Sequence, residues 1–155
     1  MIYEKEENLP LEGFGIQLSI NSVSILNEIG FKNINSKEVY HPSNLDFYSI
    51  KNERICNIDI AKFNSKETKY TTLQRSTLID FLKDEIYTQH LRFGKRIKRI
   101  SEIKDKLLIN FDDNTNDLVD HLIAADGVFS HTRSFFETKK SSPKFVNAIV
   151  IRMLS

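Results

Sequence analysis

Two stretches of this chain repeat their apolar residues at the spacing of a helix, and both are short. Val23, Ile25, Leu26 and Ile29 form one stripe; Leu78, Phe81, Leu82 and Ile86 form the other. Around them the apolar residues come in brief runs, rich in β-branched and aromatic side chains and broken by polar turns, as strands require. The pattern predicts a mixed α/β fold. Ser19 or Asn21 can cap the first helix, and Gly30 suits the left-handed position beyond its end. The second helix is expected from Ser76 to Tyr87, with Arg75 at its opening.

Strands are expected at Val39–Tyr40, 45–50 and 54–60, the last two making a hairpin around Lys51-Asn52-Glu53. Residues 64–71 read as a loop. Further strands are expected at 91–93, 96–100, 107–111 and 118–124, then a short helix over 128–136, a polar linker over 139–143 and a final strand over 145–153.

Composition narrows the function classes. The 155 residues are 40% hydrophobic and 28% charged, with 22 basic and 21 acidic side chains for a net charge of +1. Such a balance gives no overall field to draw nucleic acid or an anionic membrane. No apolar run approaches the roughly 18 residues of a membrane span. The acidic N-terminus is no signal peptide, and the lone Cys56 can form no internal disulfide, so a reducing, cytoplasmic setting is expected, with Cys56 as a small buried residue.

Several positions carry possible chemistry. Ile123-Ala124-Ala125-Asp126-Gly127 reads as a strand ending in a sharp turn, with a helix to follow and Arg133 six residues beyond the glycine. It suits a dinucleotide-handling turn, where amide groups at a helix start meet phosphate. It equally suits an ordinary strand–helix turn with an exposed arginine. Glu4, with Lys5 beside it, follows two apolar residues, and an acid at a strand tip can accept ribose hydroxyls. Arg75 is an odd opening for a helix, because the dipole disfavours cations there. It is either a phosphate clamp or a surface side chain. The basic run Lys95-Arg96-Ile97-Lys98-Arg99 lacks interleaved aromatics and reads as a solvated strand face. The four histidines show no metal-ligand spacing.

Taken in order, these pieces follow one pattern. Tyr3-Glu4-Lys5, Gly13-Phe14-Gly15-Ile16-Gln17-Leu18, Gln74-Arg75-Ser76-Thr77-Leu78, Phe93-Gly94-Lys95-Arg96-Ile97 and Ala125-Asp126-Gly127 with Ser130 and Arg133 resemble the FAD-dependent aromatic hydroxylases. That group contains salicylate hydroxylase and para-hydroxybenzoate hydroxylase. The resemblance implies that Glu4 holds the adenosine ribose of FAD, that Phe14 and Gly15 pass near the flavin, and that Arg75 contacts the phosphate region. It implies that the backbone of Ile97 meets the adenine, and that Asp126, Gly127 and Arg133 form a motif shared by FAD and NAD(P)H.

The implied fold is α/β: an incomplete FAD-binding domain, Rossmann-like and of the para-hydroxybenzoate hydroxylase type, over 1–37 and 72–140. The beginning of a β-sheet substrate domain is implied over 38–71 and 141–155. The implied activity is hydroxylation of a small aromatic substrate with dioxygen and NAD(P)H, with no catalytic residue assigned. The family's G-x-G-x-x-G turn has no counterpart here, Phe14 stands where a small residue is usual, and Ala124 replaces a glycine. The chain therefore reads as an internal fragment, inactive by itself. A non-catalytic FAD-binding-like domain and a related flavoprotein epoxidase, reductase or halogenase are the alternatives.

Overall fold

A computed structural model describes residues 1–9, 13–86, 88–137 and 143–150. In chain order the elements are β1 (Ile2–Tyr3), β2 (Gly15–Leu18), α1 (Ile20–Glu28), β3 (Val39–Tyr40), β4 (Asn44–Tyr48), β5 (Arg54–Asp59), β6 (Thr71–Gln74), α2 (Arg75–Asp84), β7 (Leu91–Arg92), β8 (Ile97–Ile103), β9 (Lys106–Phe111), β10 (Asn116–Val119) and α3 (Arg133–Phe136). The chain folds as two compact units, one of Met1–Leu9 with Tyr87–Ile151, the other built on Pro10–Ile86.

In the second unit, β6 lies between β2 and β3, antiparallel to both. Leu18, Val23, Phe31 and Leu73 form its buried core, with Ile16, Leu26, Ile34, Val39, Leu78 and Phe81 packed against them. Val23 and Leu26 of the first predicted stripe and Leu78 and Phe81 of the second thus meet over this small sheet, whereas Ile25 and Ile29 are exposed, and Phe31 meets Phe81 edge to face at 5.3 Å. Ser19 is extended at the N-cap position of α1 but makes no side-chain cap. Its hydroxyl lies 3.3 Å from that of Ser22 instead. Gly30 follows with φ +95°, as expected past a helix end.

The predicted hairpin forms from β4 and β5, with Leu45 opposite Ile58 and Phe47 opposite Cys56. As a two-stranded ribbon it leaves large side chains uncovered, Ile55 and Tyr48 among them. Cys56 is exposed there rather than buried.

In the first unit, β1 pairs with β7 in parallel, and β8, β9 and β10 form an antiparallel meander. Ile109 and Phe111 on the central strand are fully buried. Tyr3 reaches this meander: its ring lies 4.9 Å from that of Phe111 and its hydroxyl donates to Asp117 at 2.7 Å.

Four expectations change. The segment before α2 holds a strand, β6, where a loop was read up to Thr71; four residues with two threonines give too short an alternation to stand out. The strand expected over 118–124 ends at Val119, which pairs with Leu107, because β9 begins only one residue earlier and leaves no partner. The helix expected over 128–136 is only Arg133–Phe136. No strand forms over 145–150, where Phe145, Val146, Ile149 and Val150 are exposed; residues 151–153 of that expected strand lie outside the described residues. So do most of the expected linker and the expected helix end at Tyr87.

Candidate functional site

Phe14, Gly15 and Arg75 come together. Gly15 stands opposite Gln74 in the β2–β6 ladder, and the Arg75 amide extends it by donating to the Phe14 carbonyl at 3.1 Å. Gly13 comes so close that a Cβ added there would stand 2.9 Å from the Arg75 Cβ. Only glycine allows this approach. The loop is thereby pinned across the start of α2. Gln74 provides no side-chain cap, and the first turn of α2 holds no acid. The first-turn amides are therefore left without side-chain acceptors. The Arg75 side chain is exposed and makes no hydrogen bond or ion pair among the described residues. A cation at the positive end of a helix costs about 0.3–1 kcal/mol. An anion bound there would remove that conflict. Phe14 shares the alternation of Ile16 and Leu18, which face the core, yet remains 54% exposed.

Glu4, Lys5 and Ile97 form a second group. The Glu4 amide donates to the Arg92 carbonyl and its carbonyl accepts from Lys95, each at 2.8 Å. The Gly94 amide donates to the Glu6 carbonyl at 3.0 Å. The 92–95 turn thus clamps the end of β1. Gly94 has φ +66°, and a Cβ there would meet Glu7 Oε1 at 3.0 Å, so glycine fits both backbone and space. Glu4 Oε1 accepts from the Glu6 amide at 3.0 Å. Lys5 pairs with Glu6 at 3.6 Å in an exposed position. Ile97 opens β8 opposite Phe111, two residues past Lys95. Burial, then the bond to Asp117, push the Tyr3 phenol up to about 12.

Asp126, Gly127 and Arg133 form a third group, organised differently from expectation. Gly127 has φ +82° and open space around its α-carbon. Asp126 Oδ1 accepts from the Ser130 hydroxyl at 2.5 Å, and Oδ2 accepts from the Thr132 amide at 2.9 Å. Burial raises the Asp126 pKa, but these bonds outweigh it and hold the carboxyl at about 2. The Arg133 amide donates to Ser130 Oγ at 3.0 Å, and its guanidinium pairs with Glu137 at 3.5 Å. The carboxylate thus takes the amide and hydroxyl that a helix start would have offered to a ligand. No hydrogen bond or ion pair joins this turn to Glu4 or Ile97 among the described residues.

No family model matches the chain. The 6-hydroxynicotinate 3-monooxygenase of Pseudomonas fluorescens is 23% identical over 138 residues, which are 85% of this chain and 35% of that protein. HpxO of Klebsiella pneumoniae, solved with FAD and uric acid, superposes with a TM-score of 0.68 at 23% identity, over 84% of this chain and 33% of its own. The chain is thus similar to about a third of a curated monooxygenase and shares the fold of about a third of a protein solved with FAD. The 2,6-dihydroxypyridine-3-hydroxylase from Arthrobacter nicotinovorans superposes with a TM-score of 0.66 at 18% identity, over 85% of this chain and 32% of that one. The chain spans about a third of the length of the relatives it matches.

Within this α/β fold, the nine candidate residues fall into the three groups above. Phe14, Gly15 and Arg75 lie in the unit built on Pro10–Ile86, and the other six lie in the unit of Met1–Leu9 with Tyr87–Ile151. Gly13 was not singled out as a site residue, although the Gly-Phe-Gly spacing was its signal. Thr132 was also missed. Nothing in its sequence position marks a buried threonine whose amide binds an acid six residues earlier. Among the described residues, no helix is long and apolar enough to cross a membrane.

Proposed function

We propose that this chain forms part of an FAD-dependent monooxygenase that hydroxylates a small aromatic substrate. The observation that carries the reading is the start of α2: the unpaired, exposed Arg75, uncapped amides and a glycine loop pressed against it. This donor set suits a phosphate of FAD. Bound FAD would supply the redox chemistry, taking electrons from NAD(P)H and passing them to dioxygen, so that one oxygen atom enters the ring and the other leaves as water.

The chain's own residues bind and orient. Arg75 holds phosphate, Phe14 and Gly15 line the flavin side of the loop, and Glu4, with Lys5 beside it, takes the ribose. Glu4 Oε2 is free for this, since only Oε1 is engaged by the Glu6 amide. The backbone of Ile97 borders the adenine. Asp126 and Gly127 act by holding their turn in shape, and the Arg133 amide joins that turn through Ser130 Oγ. Residues 1–37 and 72–140 serve the cofactor, and 38–71 and 141–155 serve the substrate. The balanced charge and lone cysteine support a cytoplasmic setting and small-molecule partners.

The test is titration of the 155-residue chain with FAD, followed by flavin fluorescence and calorimetry, beside Arg75→Ala. A charge-assisted hydrogen bond contributes about 1.5–3 kcal/mol. Saturable binding, weakened about tenfold or more by Arg75→Ala, is expected. Binding indifferent to the substitution overturns the role of Arg75, and absent binding overturns an autonomous phosphate site at the start of α2.

A further inference from the structure

The run Lys95-Arg96-Ile97-Lys98-Arg99 places four cations in five residues. The meander sorts them into two pairs. Lys95 is bonded to Asp113 and, at 2.7 Å, to Thr115 Oγ1, while Arg96 faces Asp112 at 3.9 Å. Turn carboxylates thus offset the first pair. Lys98 and Arg99 make no ion pair or hydrogen bond among the described residues.

A β-bulge decides where these two point. The β8–β9 ladder steps from Ile97 opposite Phe111 directly to Arg99 opposite Asn110, leaving Lys98 as the extra residue. Regular alternation would send Lys98 and Arg99 to opposite faces. The bulge breaks the alternation and re-aims a side chain. Ile97 and the buried Phe111 face the core, so Lys98 and Arg99 both stand on the other face. An open groove of about 680 Å³ beside them is lined by Lys98, Arg99, Ser101, Leu108, Asn110 and the edge of Phe111, with Asn114 and Thr115 at its end. Lys106, two residues before Leu108 on β9, is already paired with Asp120 at 2.9 Å. The groove therefore holds two adjacent cations with no counter-ion, hydroxyl and amide groups around them, and an apolar floor.

We infer that this groove binds the phosphoryl group of a small soluble molecule, with Lys98 and Arg99 on the anion and Ser101 and Asn110 on the part that carries it. Arginine matches phosphate oxygens with paired donors, and lysine adds a mobile point charge. These residues belong to the unit of Met1–Leu9 with Tyr87–Ile151, and Arg75 belongs to the other. A nucleic-acid strand fits worse, because Phe111, the aromatic residue in the groove lining, is 1% exposed and offers no face for a base.

The test is calorimetric titration of the 155-residue chain with inorganic phosphate and with adenosine monophosphate. Low salt is used, since exposed charges are screened within about 10 Å at 0.1 M. Saturable binding of both is expected, tighter for the nucleotide. Lys98→Ser with Arg99→Ser should weaken inorganic phosphate at least tenfold. The charge-matched Lys32→Ser with Lys66→Ser should leave its affinity within about twofold. The outermost cations are exposed, and circular dichroism checks that each variant is folded. Unchanged affinity in the Lys98/Arg99 variant overturns the inference. So does an equal loss in the charge-matched control, which would show a diffuse charge effect. An FAD affinity that falls with Arg75→Ala but not with the Lys98/Arg99 variant leaves the cofactor reading standing whichever way the phosphate result goes.

Discussion

Gly13→Ala tests the geometry on which the cofactor reading rests. Gly13 is not among the residues of positive φ, so alanine meets no backbone penalty there. Through the unfolded chain alone, such a change would stabilise by about 0.4–1 kcal/mol. The native structure opposes it. The new Cβ would stand 2.9 Å from the Arg75 Cβ, an atom fixed to the backbone of α2 that cannot swing aside. Forcing an extra carbon into such a contact costs about 1–3 kcal/mol. At the middle of both ranges the difference is a net loss of about 1 kcal/mol, with weakening of the bond from the Arg75 amide to Phe14. Urea denaturation followed by circular dichroism should show a lower midpoint with unchanged slope. Gly15→Ala is the internal control, because its Cβ would meet only the Leu73 carbonyl at 3.9 Å, an ordinary contact. A midpoint for Gly13→Ala equal to or above that of the wild type would refute the close approach and, with it, the pinned loop.

Two further outcomes follow from titrating groups. The raised Tyr3 pKa, about 12, means that folding favours the protonated phenol: its contribution is full below the unfolded value near 10 and is lost as pH rises toward 12. Ultraviolet titration should show one phenol ionising near 12 that disappears in Tyr3→Phe; all phenols ionising together near 10 would refute the bond to Asp117. The depressed Asp126 pKa, about 2, contributes above the unfolded value near 4 and is lost as pH falls toward 2. This carboxylate is exposed and its contribution is discounted for solvent, so the expected signal is local: faster hydrogen exchange at the Thr132 amide across that window and in Asp126→Asn. Exchange that is flat from pH 4 to 2, once corrected for its intrinsic rate, would refute the role assigned to the carboxylate.

The elements with a strong local period were legible. The stripe of Val23, Ile25, Leu26 and Ile29 and that of Leu78, Phe81, Leu82 and Ile86 placed α1 and α2, although Ile25 and Ile29 proved exposed, and the polar Lys51-Asn52-Glu53 break placed the hairpin. Elements that depend on a distant partner were not. The apolar residues from Ile123 to Ala125 and from Phe145 to Val150 read as strands, but a strand exists only where another lies beside it. Strand β10 stops where β9 runs out, and 145–150 pair with nothing among the described residues. Conversely, Thr71–Gln74 is a strand because β2 and β3 flank it, not because its sequence insists.

The candidate site divides along the same line. Residue type and order determined the two glycines around Phe14, the arginine after Gln74, the acid after Tyr3 and the Asp-Gly turn, and these carry the resemblance. Which side chains remain free was decided only by the tertiary structure. The Arg75 side chain has no polar partner among the described residues and Gly13 is pressed on it, whereas Asp126 spends both oxygens on Ser130 and Thr132, and Arg133 meets Glu137. The same holds for the basic run, where turn carboxylates took Lys95 and Arg96, and one bulged residue brought Lys98 and Arg99 to one face. A sequence fixes spacing along a chain; hydrogen bonds and ion pairs are settled by distances between residues far apart in it.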